Sequence, residues 1–475
     1  MTNFDLSQEE RATLYTHVIK KLENYYQNTS TYPVTPVLDK VFLKNLVRED
    51  RFSQPLPKTD ALQFVLDGLQ KYAVHTPHPG YFGLFNPRSN FAGILADLIT
   101  AVMNPQMAAW SHSPFAAEIE DYLISQFGQR FGYPKDQIDG VFAAGGAEAN
   151  LTAVLCALNA HFPTFATEGL WQLEKKPMIY CSAEAHHSIV KAARAVGLGY
   201  HSVVNIPTDD KQCMQVDRLR KRIEEDQRLG LQPFMIAATA GTTGSGGIDN
   251  LATVAEIAAA FQCWFHVDAA YGGAMVLHPE LKALLHGIAS SDSITFDAHK
   301  WLSVPMATSL FITSHPQILS QSFRVSAEYM PKEGKDLPII DPFTHSLQWS
   351  RRFIGLKLYL SLLFFGWEGY AEVIAHQVQM GNYLKAQLQA HQWSIKNDTP
   401  LPIVCFTDIQ YHSHPGFIST IHHEVLKNRT CWISQYPIDK RPTLRACITN
   451  YATQKKDIDE LVRQLNKARI AFRAK

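Results

Sequence analysis

Between about residues 137 and 314, short apolar segments alternate with helical patterns, and this alternation limits the available folds more than any other feature of the chain. Seven segments read as strands: Gly140–Ala144, Met178–Ser182, Ser202–Ile206, Phe234–Ala240, Trp264–Ala269, Ile294–Phe296 and Ser309–Thr313. Each is short, apolar and rich in β-branched or aromatic residues. Helical periodicity separates most of them, as in Ala147–His161, Val216–Gln227 and Leu251–Phe261. The rhythm predicts an α/β fold with a mainly parallel central sheet flanked by helices. Such sheets bind ligands at the carboxyl ends of their strands.

The last hundred residues repeat the pattern on a smaller scale. Strands are expected at Ile403–Phe406 and Leu444–Thr449, and helices over 415–427 and 455–471. At the other end, Ser7 and Glu10 have the spacing of a capping box, and Leu14, Val18, Leu22 and Tyr25 follow at helical spacing. A helix is therefore expected over 8–27, followed by an extended arm from Tyr32 to Lys58 suited to wrapping a second subunit. The expected division is an N-terminal helical arm and dimerisation segment, 1–75, a large ligand-binding domain, 76–365, and a small C-terminal α/β domain, 366–475.

With 475 residues, 46% hydrophobic and 19% charged, the chain has the composition of a globular protein with a large core. Lys+Arg and Asp+Glu both number 44, so no charge excess points to nucleic acid or an anionic membrane surface. The seven cysteines are scattered without a CxxC, as expected of reduced thiols in the cytoplasm. The first ten residues are polar and acidic, unlike a signal peptide. The most apolar run, Phe353 to Trp367, contains Lys357 and is too short to span a bilayer, so it reads as a buried helix.

Several expected strands end in groups able to do chemistry. Trp264-Phe-His-Val ends in Asp268, and Ser293-Ile-Thr-Phe-Asp-Ala-His leads to Lys300, one strand–helix–strand crossover later. A lysine between a core strand and the apolar pair Trp301-Leu302 can be desolvated, which makes its amine a usable nucleophile. An acid at the end of a core strand can cap a helix, join a structural ion pair or hold a protonated ring nitrogen. A Schiff-base lysine with an acid for a pyridinium nitrogen is what pyridoxal phosphate requires of a protein. Gly145-Gly146-Ala147-Glu148-Ala149-Asn150 opens a helix after a strand and suits an anion, although such turns are common. It matches neither GxGxxG nor the Walker A loop, so NAD and ATP fit poorly. His186, in Ser182-Ala-Glu-Ala-His186-His187-Ser188, has the place to stack on a cofactor ring. A metal site from these histidines with His266, Asp268 and His299 lacks ligand spacing. Gly241-Thr-Thr-Gly-Ser-Gly-Gly247 is either a flexible crossover or a contact for a flat ring's substituents.

Together these segments resemble the group II pyridoxal phosphate-dependent amino acid decarboxylases, which include aromatic-L-amino-acid and glutamate decarboxylases and have the type I aspartate aminotransferase fold. The ordered set includes His78-Pro79, Phe85-Asn86-Pro87, Trp110 with Ser113-Pro114, and Glu118-x-Glu120. It continues through Gly145–Asn150, His186, Gly241-Thr-Thr, His266-Val-Asp268-Ala-Ala270-Tyr271 and Asp297-Ala-His299-Lys300-Trp301. Arg351-Arg352-Phe353 and Leu444-Arg-Ala-Cys-Ile-Thr-Asn450 complete it. The resemblance implies that Lys300 forms the Schiff base with the cofactor, Asp268 pairs with the pyridine nitrogen and His186 stacks on the ring. It places Gly146, Ala147 and His299 around the phosphate, and Thr243, Asp249 and Ala270 in the cofactor shell. The family often has a hydroxyl residue where this chain has Ala147. It implies a homodimer in which the long loop from Val325 to Ser346, with Tyr329 near its start, closes over the partner's site. Tyr329 would protonate the substrate's α-carbon after CO2 departs; related aldehyde synthases have phenylalanine there.

The implied activity is that of a carboxy-lyase converting an L-amino acid to its amine and CO2. Phe85 and Trp110 lie where the family builds its substrate pocket, and both suit an aromatic side chain. Ser350 occupies a position where plant relatives carry serine for phenolic substrates. Arg88 argues the other way, because a guanidinium there could hold the second carboxylate of glutamate, aspartate or cysteine sulfinate. An aldehyde synthase, an aminotransferase and a non-catalytic cofactor binder are the alternatives. Products separate the first two from a decarboxylase, and absence of a visible cofactor band marks the last.

Overall fold

The computed structural model describes residues 4–49, 51–325 and 337–473. Its main sheet has seven strands: β1 Asp139–Ala143, β2 Pro177–Ser182, β3 Val203–Ile206, β4 Gln232–Thr239, β5 Trp264–Asp268, β6 Ser293–Asp297 and β7 Ser309–Thr313. Their order is β1-β7-β6-β5-β4-β2-β3. The five strands from β6 to β3 are parallel neighbours, as the strand–helix rhythm predicts. β7 runs antiparallel to both β6 and β1. Connection length explains the reversal: only Ala298–Thr308 joins β6 to β7, too short for the crossover that a parallel pair requires.

Alternate residues of the strands enter two different cores. Met178 and Tyr180 of β2, and Ile236 and Ala238 of β4, pack into one; Ile179, Cys181, Met235 and Ala237 pack into the other. Both faces of the sheet are thus buried under helices, which is why its strands read as continuous apolar runs.

Preceding the sheet are α1 Gln8–Asn28, α2 Lys40–Arg48, α3 Lys58–Tyr72, α4 Phe91–Met103 and α5 Pro114–Phe131, and α6 Gly146–His161 follows β1. The capping box of α1 is present: Glu10 N–H donates to Ser7 Oγ, and Ser7 N–H donates back to the Glu10 carboxylate. The arm expected to be extended from Tyr32 to Lys58 contains α2, because Asp39 caps it by accepting from Phe42 N–H at 2.9 Å.

A second sheet holds β8 Trp393–Ile395, β9 Ile403–Asp408, β10 Ser434–Ile438 and β11 Arg441–Cys447 in the order β10-β11-β9-β8. All its pairings are antiparallel. The β10–β11 turn is two residues, Asp439 and Lys440, with φ of 48° and 63°, the left-handed geometry that suits a tight hairpin. The helices Phe417–Lys427 and Lys455–Arg473 cover this sheet and share a separate core with it.

The helix Leu356–Ala390 runs from one core to the other and breaks at Gly366, which has φ 63° and ψ −176°. The run expected to form a buried helix is buried only at its start: Lys357, Leu358 and Ser361 are covered, whereas Leu363, Phe364 and Phe365 are exposed on the single chain. Among the described residues no helix is long and apolar enough to cross a membrane.

Candidate active site

The site lies at the carboxyl ends of β5 and β6. β5 ends on Asp268, and β6 ends on Asp297 immediately before the short helix Ala298–Trp301 that carries Lys300. Strand pairing therefore sets the spacing between the acid and the lysine. Asp268 is buried, with Oδ1 accepting from Ala270 N–H at 3.1 Å and Oδ2 accepting from Asn150 Nδ2 at 2.9 Å. Asn150 belongs to the second turn of α6. Its amide nitrogen also donates to Ser188 Oγ at 2.7 Å, and Ser188 Oγ lies 2.9 Å from His186 Nδ1. His186 and Asp268, far apart in sequence, are thus joined through two side chains. Burial lowers the proton affinity of His186 below the ordinary value, against the opposing field of Asp268.

Lys300 Nζ is 3.0 Å from Asp297 Oδ2, with 20% of its side chain exposed, so it is ion-paired rather than stripped of all charged partners. Asp297 is almost wholly buried, and its Oδ1 accepts from Ser309 Oγ at 2.5 Å. Its Oδ2 would lie 2.8 Å from a Cβ on Gly146, so only glycine fits there without a shift. His299 Nε2 is 3.8 Å from the same oxygen, and burial pushes its imidazole pKa down. The Phe85 ring centroid is 5.7 Å from Lys300 Nζ. Phe85, Tyr271 and Trp301 stack in series, with centroids 4.1 and 4.8 Å apart, and wall the lysine on that side.

Two neighbouring elements brace the rim. Lys357, buried with its pKa pushed down by desolvation, donates to the carbonyls of Met306 and Ala307 at 2.7 and 3.0 Å. It holds the turn after Lys300, where Ser303 and Ala307 adopt φ of 56° and 64°. The Gly241–Gly247 turn carrying Thr243 is held by the second sheet: Arg445 Nε donates to Gly244 O at 2.9 Å, and Tyr436 packs on Gly244 while donating to Glu184.

The structure therefore gathers Lys300, Asp268, His186, Gly146, His299, Ala270 and Phe85, with Ala147 in the first turn of α6. Of the remaining described residues, Thr243 lies on the braced turn and the others make contacts of their own. Both oxygens of Asp249 accept from backbone N–H groups, of Met214 at 2.7 Å and Thr239 at 2.8 Å, so it secures the end of β4; burial pushes its pKa up to about 6. Arg88, expected to offer a fork for a substrate carboxylate, is engaged at α1. Its Cζ is 3.8 Å from the centre of the Tyr26 ring and its Nη2 donates to Tyr26 O at 3.0 Å, a cation–π and hydrogen-bonded seat that the local sequence does not reveal. Trp110 donates its indole N–H to Glu118 at 2.8 Å, and its backbone N–H to Asp341. Ser350 is exposed. Tyr329 lies outside the described residues. At the far end of its loop, Gln348 Nε2 donates to both Glu148 oxygens at 2.7 and 2.9 Å, tying that segment to the first turn of α6. The sequence reading missed Asn150, Ser188 and His266 as site residues. His266 and Asp268 share one face of β5, which was the available signal.

The arrangement fits pyridoxal phosphate on its own geometry. No side chain caps α6 at Gly145, which leaves the Gly146 and Ala147 N–H groups to an anion, and the Gly146 cradle admits no Cβ. Lysine amine and acid stand at neighbouring strand ends, with an imidazole joined to the acid.

The chain belongs to the pyridoxal-dependent decarboxylase family, whose conserved domain matches residues 49–409. It is a pyridoxal phosphate-dependent amino acid decarboxylase. It is 27% identical over 470 residues to an aromatic-L-amino-acid decarboxylase of Bacillus atrophaeus, covering 98% of this chain and 96% of that one. It is 28% identical to an L-aspartate decarboxylase of Metarhizium robertsii, covering 75% of this chain and 73% of that one. In fold it superposes on Oryza sativa TDC, solved with PLP and tryptamine, with a TM-score of 0.93 at 22% identity over 99% of this chain and all of that one.

Proposed function

We propose that the protein decarboxylates an L-amino acid with an aromatic side chain, phenolic rather than indolic, releasing the amine and CO2. The observation that carries this reading is the Phe85–Tyr271–Trp301 stack beside Lys300, together with the engagement of Arg88 at α1. A flat apolar wall favours a flat apolar side chain. The first relative above, named for aromatic substrates, agrees with it.

Lys300 is the covalent anchor of the cofactor, and Asp268 holds a proton on its ring nitrogen. His186 covers the ring, while Gly146, Ala147 and His299 receive the phosphate. Thr243 and Ala270 line the shell, and Asp249 supports it from behind. Bound pyridoxal phosphate supplies the electron sink for the pair left on the α-carbon. Tyr329 returns a proton to that carbon. Large apolar side chains exposed on the single chain, including Val41 and Val47 of α2, Leu98 and Val102 of α4, and Phe364, support their cover by a second copy. The Tyr329 loop would then complete the partner's site. All seven cysteines are free, in keeping with the cytoplasm.

A second reading has an observation of its own. Arg445 is buried with its Cζ 5.2 Å from the Phe85 ring centroid, and its Nη2 has no hydrogen-bond partner among the described residues. A guanidinium so placed is able to take a carboxylate, which keeps acidic substrates open. The test is a panel of tyrosine, dopa, phenylalanine, tryptophan, aspartate, glutamate and cysteine sulfinate, with CO2 and amine quantified. Turnover of the acids above the aromatic amino acids would overturn the aromatic reading. Ammonia and peroxide in place of amine would make the protein an aldehyde synthase.

A further inference from the structure

We infer that Trp264, Ser293, His266 and Asn150 form a hydrogen-bond chain of fixed direction that leaves the His266 hydrogen on Nε2 and holds the Asn150 amide nitrogen toward Asp268 Oδ2 and Ser188 Oγ, in agreement with a His186 that accepts at Nδ1. These four are positioning residues for the cofactor ring. Their effect on the cofactor rests on the proposed pairing of Asp268 with the ring nitrogen; their direction does not.

The argument runs from a group that can only donate. The Trp264 indole N–H donates to Ser293 Oγ at 2.9 Å. Ser293 is fully buried, and among the described residues the acceptor for its own hydrogen is His266 Nδ1 at 2.9 Å. His266 is also fully buried, and desolvation pushes its pKa down to about 4, so near neutral pH the ring carries a single hydrogen. With Nδ1 accepting, that hydrogen is on Nε2, which donates to Asn150 Oδ1 at 3.0 Å; Thr295 Oγ1 is a more distant neighbour at 3.4 Å. The amide nitrogen of Asn150 then faces the other way. It gives one hydrogen to Asp268 Oδ2 at 2.9 Å and the other to Ser188 Oγ at 2.7 Å. Having accepted there, Ser188 donates its hydrogen to His186 Nδ1 at 2.9 Å, which leaves the His186 hydrogen on Nε2.

The opposite end selects the same arrangement. An ionised Asp268 only accepts, so the amide nitrogen must face it. Turning the amide over would set two acceptors against each other at Asp268. It would also send the His266 hydrogen to Nδ1, so that Trp264 and His266 would both donate to Ser293 while the buried hydroxyl hydrogen found no acceptor. An obligate donor at one end and an obligate acceptor at the other agree on one orientation, and the hydrogen positions follow from that agreement. Asp268 consequently offers nothing but lone pairs, so a ring nitrogen meeting it must arrive with its hydrogen.

The test uses Asn150→Asp beside Asn150→Ala, and Trp264→Phe beside Ser293→Ala, the last serving if the tryptophan variant fails to fold. Asn150→Asp nearly keeps the volume but puts a second acceptor against Asp268. It should weaken pyridoxal phosphate binding about tenfold or more beyond Asn150→Ala, the size of one hydrogen bond to a charged group. A merely space-filling role predicts the reverse order. Nitrogen-15 NMR of histidine-labelled protein without cofactor should show His266 and His186 as Nε2–H tautomers, assigned by single substitution, and Trp264→Phe or Ser293→Ala should mix them at His266. Asn150→Asp binding the cofactor as tightly as Asn150→Ala, or a wild-type His266 with its hydrogen on Nδ1, would overturn the inference. Unaltered cofactor binding in Asp268→Ala would instead sink the pairing of Asp268 with the ring nitrogen while leaving the tautomer result intact.

Discussion

Acidification from pH 7 to pH 5 should cost the folded protein about 2 kcal/mol through His266 alone, as follows from its depressed pKa. The ring is fully buried, and burial moves its pKa from 6.5 down to about 4, with the field of Asp268 and the backbone of Ser293 opposing the shift. The folded pKa is the lower one, so between these values the unfolded chain binds more protons than the folded one. Stability from this group is complete above the unfolded value and is lost as pH falls toward the folded value. At pH 5 the imidazole is mostly charged when unfolded and mostly neutral when folded. That separation spans about 1.5 pH units of linkage at about 1.4 kcal/mol each. Urea unfolding of cofactor-free wild type and His266→Gln at pH 7 and pH 5 isolates it. Other buried histidines, such as His78 and His299, contribute to both proteins and cancel in the comparison. The stability gap between wild type and variant should narrow by about 2 kcal/mol at pH 5. Parallel losses in the two proteins would refute the assignment of His266 as a buried neutral ring.

Lys300→Ala should abolish the visible absorbance of bound cofactor and lower turnover by about three orders of magnitude or more, measured as amine release. Gly146→Ala places a Cβ 2.8 Å from Asp297 Oδ2, which Ser309 holds in place. The resulting overpacking, about 1–3 kcal/mol, should appear as weakened cofactor binding in an apoprotein titration. Arg88→Ala should lower thermal stability by about 1 kcal/mol through loss of the Tyr26 contact and should slow aromatic and acidic substrates equally. Selective loss on acidic substrates would return Arg88 to the pocket.

The central sheet was legible because each strand is buried on both faces, which writes a continuous apolar run that ends where chemistry begins. Asp268 and Lys300 stood out for the same reason: a charged group that terminates a core strand needs a function or a partner. The direction of β7 was not legible from its composition, since an apolar strand reads alike either way; the length of Ala298–Thr308 decides it. Within the arm, the helix Lys40–Arg48 was overlooked because the prolines and charges around it outweighed its Asp39 cap. Arg88 shows the limit of motif reading. Its position suggests a substrate contact, but its conformation is set by Tyr26, on a helix sixty residues upstream. Asn150, Ser188 and His266 carry polar atoms that become costly only once burial is known, and burial of that kind is tertiary information.

Asp268 and Asp297 end neighbouring parallel strands, yet their partners differ, and the difference supports the proposed pairing of Asp268 with the ring nitrogen. Asp268 is met by an amide side chain and a backbone N–H, both neutral, so its full charge remains available to an incoming cation. Asp297 is met by the Lys300 ammonium at 3.0 Å, which neutralises it, and by a serine hydroxyl. Buried charges are tolerated when paired, and an unpaired one attracts the first suitable counter-ion. Among the described residues no cation pairs with Asp268, whereas Asp297 holds Lys300. The fixed direction of the Asn150 amide keeps that difference in place: it gives Asp268 a hydrogen bond without cancelling its charge. Exchanging the two roles would require a cation beside Asp268 and an uncharged partner beside Asp297, the reverse of what the ends of β5 and β6 carry.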